Sequence, residues 1–355
     1  MDLAAQAPSA GLPAFYGLDD QETEAFVKGQ KIPVYRARQV LDWIYKKHIS
    51  SWEEARNLPA DFRNLLSSRF RVGSLSLEEC LDSGSHESVK FLFRTLDRHL
   101  LESVLIAQRG RRTVCVSTQL GCKIGCIFCA SGKGKFGRNL TAGEIVEQVA
   151  WIEKKLGAPV SNVVFMGMGE PLDNFEATMK ALKIFQAAWG FHLGARRITV
   201  STSGLTPKIL EFVKRSEGRV RLSVSLHSSQ EQKRTELVPI NKRYGLKELM
   251  GVLKEVHRRL KREITFEYTL ISGVNDSREE AEGVAKFARP LNAKVNVIPY
   301  NPIQEVDFQT PTKDSIEKFR DSLQKQGIRV TIRQTAGRDI HAACGQLRLD
   351  RETRS

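Results

Sequence analysis

The sequence lacks a leader: residues 1–20 hold no basic stretch followed by an apolar run, so no secretion signal is expected. No window reaches the roughly 18 uninterrupted apolar residues of a membrane span. Cysteine is sparse, six in 355 residues, which argues against a disulfide scaffold. In a reducing cytosol, where this chain is expected, clustered cysteines are more often metal ligands or catalysts. There is no internal repeat and no low-complexity block. Acidic residues are in deficit, 41 Asp and Glu against 55 Lys and Arg, a formal charge of +14. Such a surplus points to a polyanionic partner, RNA or DNA, against the plainer reading of a merely soluble basic protein. The hydrophobic share of 41% is ordinary for a soluble globular chain, long enough for one large α/β domain or a large domain plus a small one.

Residues 1–15 read as a loose tail of Ala, Pro, Ser and Gly. From Asp19 to about Arg71 the pattern is helical, with Val40, Trp43, Ile44 and Tyr45 near helical spacing. This short basic segment is either an RNA-touching module or a solvated face over a small core. Residues 76–110 read as strands around a turn rich in Asp and Arg. From Thr113 strands and helices alternate, with strands expected at 114–117, 162–166, 198–202, 221–226, 264–270, 295–299 and 330–334. The first intervening helix opens on Thr141 and Glu144 in capping-box spacing and stops near Gly157. Such alternation predicts a parallel sheet with right-handed crossovers, open or as a full or partial barrel, with chemistry at the C-terminal strand ends.

The strongest motif is Cys122-x-x-x-Cys126-x-x-Cys129, in a loop just after the first core strand. Three thiolates on a short loop can hold three irons of a [4Fe–4S] cluster, leaving the fourth open to a small molecule. Gly121 and Gly125 let the loop fold closely, and Phe128 would shield the metal. A zinc knuckle or an electron-transfer cluster are the alternatives, but a structural zinc site wants a fourth Cys or His at short spacing. Two isolated cysteines stand out as well. Cys115 lies on the first core strand; Cys344 sits among small residues and glycine, which would let a large substrate approach. Cys80 reads as a small buried hydrophobe.

The cysteine triad, with an aromatic residue before its last member, resembles the radical-SAM superfamily. The resemblance implies that the open iron receives the amino and carboxylate groups of S-adenosylmethionine (SAM). Four strand-end stretches fit that reading. They are Met166-Gly167-Met168-Gly169-Glu170-Pro171, similar to the superfamily's Gly-Glu-Pro motif, then Ser201 in Val200-Ser201-Thr202-Ser203-Gly204, Ser225-Leu226-His227, and Asn301 in Pro299-Tyr300-Asn301-Pro302. Each alone reads equally as a cap or turn.

The segment from Arg112 to Gln119, the stretch Phe136-Gly137-Arg138-Asn139-Leu140-Thr141, the Asp339-to-Leu347 segment around Cys344, and the helical stretch from Tyr35 to Tyr45 narrow the likeness to the RlmN/Cfr family of RNA methyltransferases. The resemblance runs from about residue 15 to 347. It implies an α/β fold: a partial (β/α)6-type TIM-like barrel at 111–347, a small N-terminal helical domain at 1–75, a short β extension at 76–110, and a flexible tail at 348–355.

It also implies a mechanism. A ring carbon of adenine is a poor nucleophile, so polar transfer from SAM has a high barrier and a radical route lowers it. Cys344 takes a methyl group from one SAM, and a second is cleaved to a 5′-deoxyadenosyl radical, two per turnover. The radical removes hydrogen from the S-methyl group, and the carbon adds to the adenine. Glu102 accepts the ring proton. Cys115 then attacks the Cys344 sulfur, forming a transient disulfide and freeing the RNA. Implied substrates are the peptidyl-transferase-centre adenosine of 23S rRNA and the adenosine beside the anticodon of tRNA, methylated at carbon 2 in the RlmN type or carbon 8 in the Cfr type. The N-terminal segment is more similar to the RlmN type. An electron donor such as flavodoxin is implied. A monomer is expected, since the RNA is large and no pairing helix is obvious. Arg109, Arg111, Arg112, Lys133, Lys135 and Arg138 flank the cluster loop and are candidate phosphate contacts. The competing classes are a non-catalytic RNA-binding protein with a structural metal site, and a radical-SAM enzyme with another substrate.

Overall fold

A computed structural model describes residues 11–108, 110–260, 263–333 and 337–347. The helical segment forms α1 (Asp20–Gly29), α2 (Tyr35–Tyr45) and α3 (Ala60–Arg69). Asp19 and Glu22 close a capping box on α1, satisfying backbone N–H groups that the first turn leaves open. The core of this unit is Val27, Val40, Leu41, Ile44, Trp52 and Leu66, all buried. The loose tail is corrected at its C-terminal end: Phe15 is 0% exposed, its ring 5.3 Å from both Trp52 and Phe70. An aromatic residue with two edge-on partners is an anchor, not a tail. Residues 1–10 and 348–355 lie outside the described residues, and so does the tail expected at 348–355.

Three antiparallel strands follow, β1 (Leu75–Asp82), β2 (Ser88–Thr95) and β3 (Leu100–Gln108), and β4 (Arg111–Cys115) pairs antiparallel with β3. From there helices and parallel strands alternate: α4 (Ala130–Lys133), α5 (Ala142–Leu156), β5 (Asn162–Phe165), α6 (Phe175–Gln186), β6 (Ile198–Thr202), α7 (Thr206–Arg215), β7 (Arg221–Ser225), α8 (Glu231–Leu237), α9 (Leu246–Leu260), β8 (Thr265–Leu270), α10 (Arg278–Ala288), β9 (Lys294–Pro299), α11 (Lys313–Lys325) and β10 (Val330–Ile332). All ten strands form one sheet in sequence order, with β4 to β10 parallel. This is the α/β partial barrel expected, with the β extension continuing the same sheet.

The strands are β-branched and aromatic because both faces are covered. Val114, Val163, Val200, Val224, Phe266 and Val295 are each fully buried. Helix α5 carries the expected capping box and ends at Gly157, whose φ of 62° is a left-handed stop. Glu147 of α5 joins the helical unit to the sheet. Its carboxylate accepts the N–H groups of Ser74 (2.7 Å) and Leu75 (3.1 Å) and the Ser74 hydroxyl (3.0 Å).

Cys80 is exposed, contrary to the expectation of a buried residue. It lies on β1, whose side chains alternate between half-buried and exposed, and it falls on the outer face with Glu78 and Asp82.

Candidate active site

The C-terminal ends of the parallel strands bring the predicted pieces to one end of the sheet. Past Cys115 the chain is pinned from both sides. Ser117 donates its N–H to the Gln148 side chain (2.8 Å) and its hydroxyl to the Glu102 carbonyl (2.7 Å). The cysteine loop leaves at Leu120 and returns at Gly137, whose N–H reaches the Leu120 carbonyl (2.8 Å). Gly121, at φ 77°, is held where a Cβ would stand 2.5 Å from the Lys135 carbonyl oxygen, so only glycine closes this loop. Ile124, Phe128, Leu237, Val238, Ile271 and Tyr300 wall it in apolar surface.

All six cysteines are free thiols. Burial, with Cys129 next, pushes the Cys122 thiol up to about 12, and burial also raises Cys126 and Cys129. Neighbouring thiolates in an apolar wall are unfavourable unless a cation neutralises them, and iron would do so by displacing their protons. The donor set therefore fits a [4Fe–4S] cluster held by Cys122, Cys126 and Cys129.

The strand-end motifs surround this loop. Gly169 (φ 98°) is pressed on Gln119, with only 2.5 Å between a built Cβ and the Gln119 Cβ. Glu170 is buried. Its carboxylate accepts the N–H and hydroxyl of Ser203, each at 2.7 Å, and the N–H of Leu172 at 3.0 Å. It thus ties the end of β5 to the end of β6. Ser201 and Ser225 are half-buried on β6 and β7, and Leu226 is fully buried. His227 follows at φ 58°, its ring 4.7 Å from that of Phe128. Its Nδ1 accepts the Thr269 N–H (2.9 Å), while burial and the Arg234 charge pull its pKa down to about 3. His227 is therefore neutral, with its proton on Nε2. Asn301 donates to the Cys344 carbonyl (3.1 Å) and accepts from Arg338 (3.1 Å).

Cys344 is thereby brought to the cluster loop from the far end of the chain. The Ala130 N–H donates to the Gly345 carbonyl (2.8 Å), and a Cβ built at Gly345 (φ 84°) would lie 3.4 Å from the Phe128 carbonyl oxygen. Burial and, next, the charge of Cys344 push the Cys115 thiol up to about 12. The pKa of Arg333 is raised, most by the charge of Cys344 and further by those of Glu267 and Cys115. Glu102, one strand from Cys115, is buried and paired with buried Lys90 (Nζ–Oε1 3.1 Å). Lys90, Arg234 and Arg333 were not legible as site residues; nothing distinguishes them locally from strand or helix surface cations.

The expected basic cluster divides. Lys133 and Lys135 are exposed beside the loop, and Lys123 lies over the Phe136 ring at 4.4 Å. Arg138 is not available to phosphate, because its guanidinium is spent on Asp97 (2.6 Å) and Glu144 (2.7 Å). Arg111 and Arg112 open β4 at the end opposite the loop, and Arg112 donates to the Pro159 carbonyl (2.8 Å). Arg109 lies outside the described residues.

Comparison with known proteins adds to this geometry. Residues 116–288 match the Radical SAM superfamily, and residues 14–72 match the ribosomal RNA large subunit methyltransferase N-terminal domain. The chain is 40% identical over 328 residues to a probable dual-specificity RNA methyltransferase RlmN of Clostridium botulinum, covering 92% of this chain and 94% of the relative. It is 41% identical over 339 residues to a protein of the same description from Bacillus mycoides, covering 95% and 93%. The crystal structure of a radical SAM methyltransferase from Sphaerobacter thermophilus superposes with a TM-score of 0.92 at 41% identity, over 95% of this chain and all of that one.

Proposed function

The chain belongs to the RlmN family of radical-SAM RNA methyltransferases, and from that premise we propose that it methylates carbon 2 of an adenosine in the peptidyl transferase centre of 23S rRNA and in tRNA beside the anticodon. The observation that carries this reading is the docking of the Cys344 segment on the cysteine loop, where the Ala130 N–H donates to the Gly345 carbonyl. Most superfamily members with another substrate need no methyl-carrying cysteine there.

Cys122, Cys126 and Cys129 would hold the cluster, with SAM lodged among Gly169, Glu170, Ser201, Ser225, Leu226, His227 and Asn301. The bound cluster and SAM supply the electron and the carbon radical that a methyl group on Cys344 must meet. The protein's own residues do the rest. The Cys344 sulfur accepts a methyl group from one SAM, so two SAM molecules serve each turnover. When the methyl carbon has joined the adenine ring, Glu102 takes the ring proton, Lys90 holding its carboxylate in place, and the unpaired electron left on the adduct returns to the redox centre that supplied it. Cys115 then attacks the Cys344 sulfur. A sulfur–sulfur bond forms as the sulfur–carbon bond breaks, and the released carbon takes a proton to become the methyl group. An external thiol reduces the disulfide.

Residues 1–75 act as the accessory RNA-binding domain, 76–110 as the β extension that delivers Glu102, and 111–347 as the catalytic core. Exposed Lys133 and Lys135 border the cysteine loop and suit phosphate. We place the enzyme in the cytoplasm, as a monomer served by a flavodoxin-type donor. No described helix is long and apolar enough to cross a membrane.

Peptide mass spectrometry of the purified, cluster-loaded protein after incubation with SAM tests the reading. An added methyl on the tryptic peptide holding Cys344 is expected, and an unmodified Cys344 overturns the carrier role. Mass spectrometry of the RNA product then distinguishes carbon 2 from carbon 8.

A further inference from the structure

Arg234, on α8, is 0% exposed, among the largest side chains the fold buries completely. Its guanidinium fork is filled by neutral acceptors. Nε donates to the Leu226 carbonyl (3.1 Å), Nη1 to the Asn241 side-chain oxygen (2.5 Å), and Nη2 to the carbonyls of Ser203 (2.8 Å) and Ser225 (3.0 Å). Three of these are the strand-end carbonyls of β6 and β7. Among the described residues no carboxylate forms an ion pair with it. A buried cation without an ion pair is costly, so its location asks for an anion nearby. The charges that reach it are those of Cys126 and Glu231, and they offset part of the burial that pulls its pKa down to about 10. It therefore stays charged at neutral pH. Its helix also touches the cluster loop directly, since the Ile127 N–H, between Cys126 and Cys129, donates to the Leu237 carbonyl at the end of α8 (3.1 Å).

A cluster bound by three thiolates becomes more negative by one charge on reduction. A fixed positive charge in a dry surrounding favours the more negative state. We propose that Arg234 is a positioning residue for the electron-transfer step: its fork fixes the ends of β6 and β7 around the cofactor site, and its charge raises the reduction potential of the cluster on Cys122, Cys126 and Cys129. This rests on the reading that those cysteines hold a [4Fe–4S] cluster. The charge of Glu231, whose carboxylate accepts from Asn241 and Leu246, reaches the same guanidinium and moderates its field.

The test is a potentiometric titration of the full chain, reconstituted with iron and sulfide and followed by electron paramagnetic resonance without SAM or RNA. Iron content and thermal melting are measured alongside. Arg234→Gln is expected to lower the equilibrium constant for cluster reduction at least tenfold, about 59 mV for a one-electron couple. Arg234→Lys, which keeps the charge, is expected to stay well within that. An unchanged potential in Arg234→Gln at full cluster content overturns the proposal, and so does an equal fall in Arg234→Lys. Should Arg234→Gln fail to hold iron, Glu231→Gln decides, with a shift to more positive potential expected and no shift overturning the proposal. A wild-type chain that takes up no [4Fe–4S] cluster refutes the cluster reading itself.

Discussion

Lys90 and Glu102 meet as a buried ion pair, Nζ to Oε1 3.1 Å, each side chain about 5% exposed or less. They stand diagonally across β2 and β3, where Lys90 pairs with Val104 and Leu92 with Glu102. Lys90 also reaches, at a long 3.5 Å, the carbonyl of His341, three residues before Cys344. Glu102, Lys90 and the segment that leads to Cys344 are thus one connected unit.

Removing one member of a buried pair leaves the other uncompensated. Lys90→Met is expected to destabilise the fold by about 3–5 kcal/mol, read by chemical denaturation, with much of the loss recovered in the Lys90→Met/Glu102→Leu double variant. Glu102→Gln should fold, still methylate Cys344, and lose about 10²–10⁴ in RNA methylation.

Cys115→Ala is expected to methylate Cys344 and then to stall with RNA bonded to it, seen as a slow band on a denaturing gel. In the wild-type enzyme the Cys115 thiol, pushed up to about 12, is almost wholly protonated at neutral pH. Its thiolate fraction, and with it release of RNA from the adduct, should rise roughly tenfold per pH unit between pH 7 and 9. Rapid-quench measurement of product release checks the slope.

Glu147 offers a pH test of stability. Burial raises its pKa to about 7 despite the N–H groups it accepts. The folded state therefore binds the proton more tightly than the unfolded chain. The stabilisation is fully present below the ordinary glutamate range, near pH 4, and is lost as pH rises through about 7. The contribution is on the order of 3 kcal/mol. Urea denaturation from pH 5 to 8 should show that decline in the wild type and a flatter profile in Glu147→Gln.

Gly169→Ala places a methyl group 2.5 Å from the Gln119 Cβ at a φ of 98°. Overpacking and backbone strain together should cost about 2–4 kcal/mol. Because the residue lies between β5 and Glu170, SAM affinity measured by calorimetry should fall as well.

The sheet was legible because its strands are runs such as Val163–Phe165 and Val295–Val297, bounded by helices with ordinary caps. The cysteine loop was legible from spacing alone, since its three ligands are close in sequence. Phe15 was misread because one aromatic residue in a run of Ala and Pro carries no periodicity. Cys80 was misread because a lone cysteine gives no sign of which face of an edge strand it occupies. Arg138 reads as a free cation until the fold brings Asp97 to it. Lys90 and Arg234 acquire their meaning only through contacts distant in sequence, which no local pattern encodes.

Cys344 comes after every strand of the sheet and is tied back to the cluster loop through Gly345 and Ala130. A chain is made from its N-terminus, so Glu102, Cys115 and the cysteine triad leave the ribosome before Cys344 does. On the proposed mechanism, a product cut short just past Ile332 would own the described sheet and the cluster loop and still transfer nothing. On the proposed mechanism, translation therefore delays competence: the residue expected to carry the methyl group is added only after the described sheet and the cluster loop have been made.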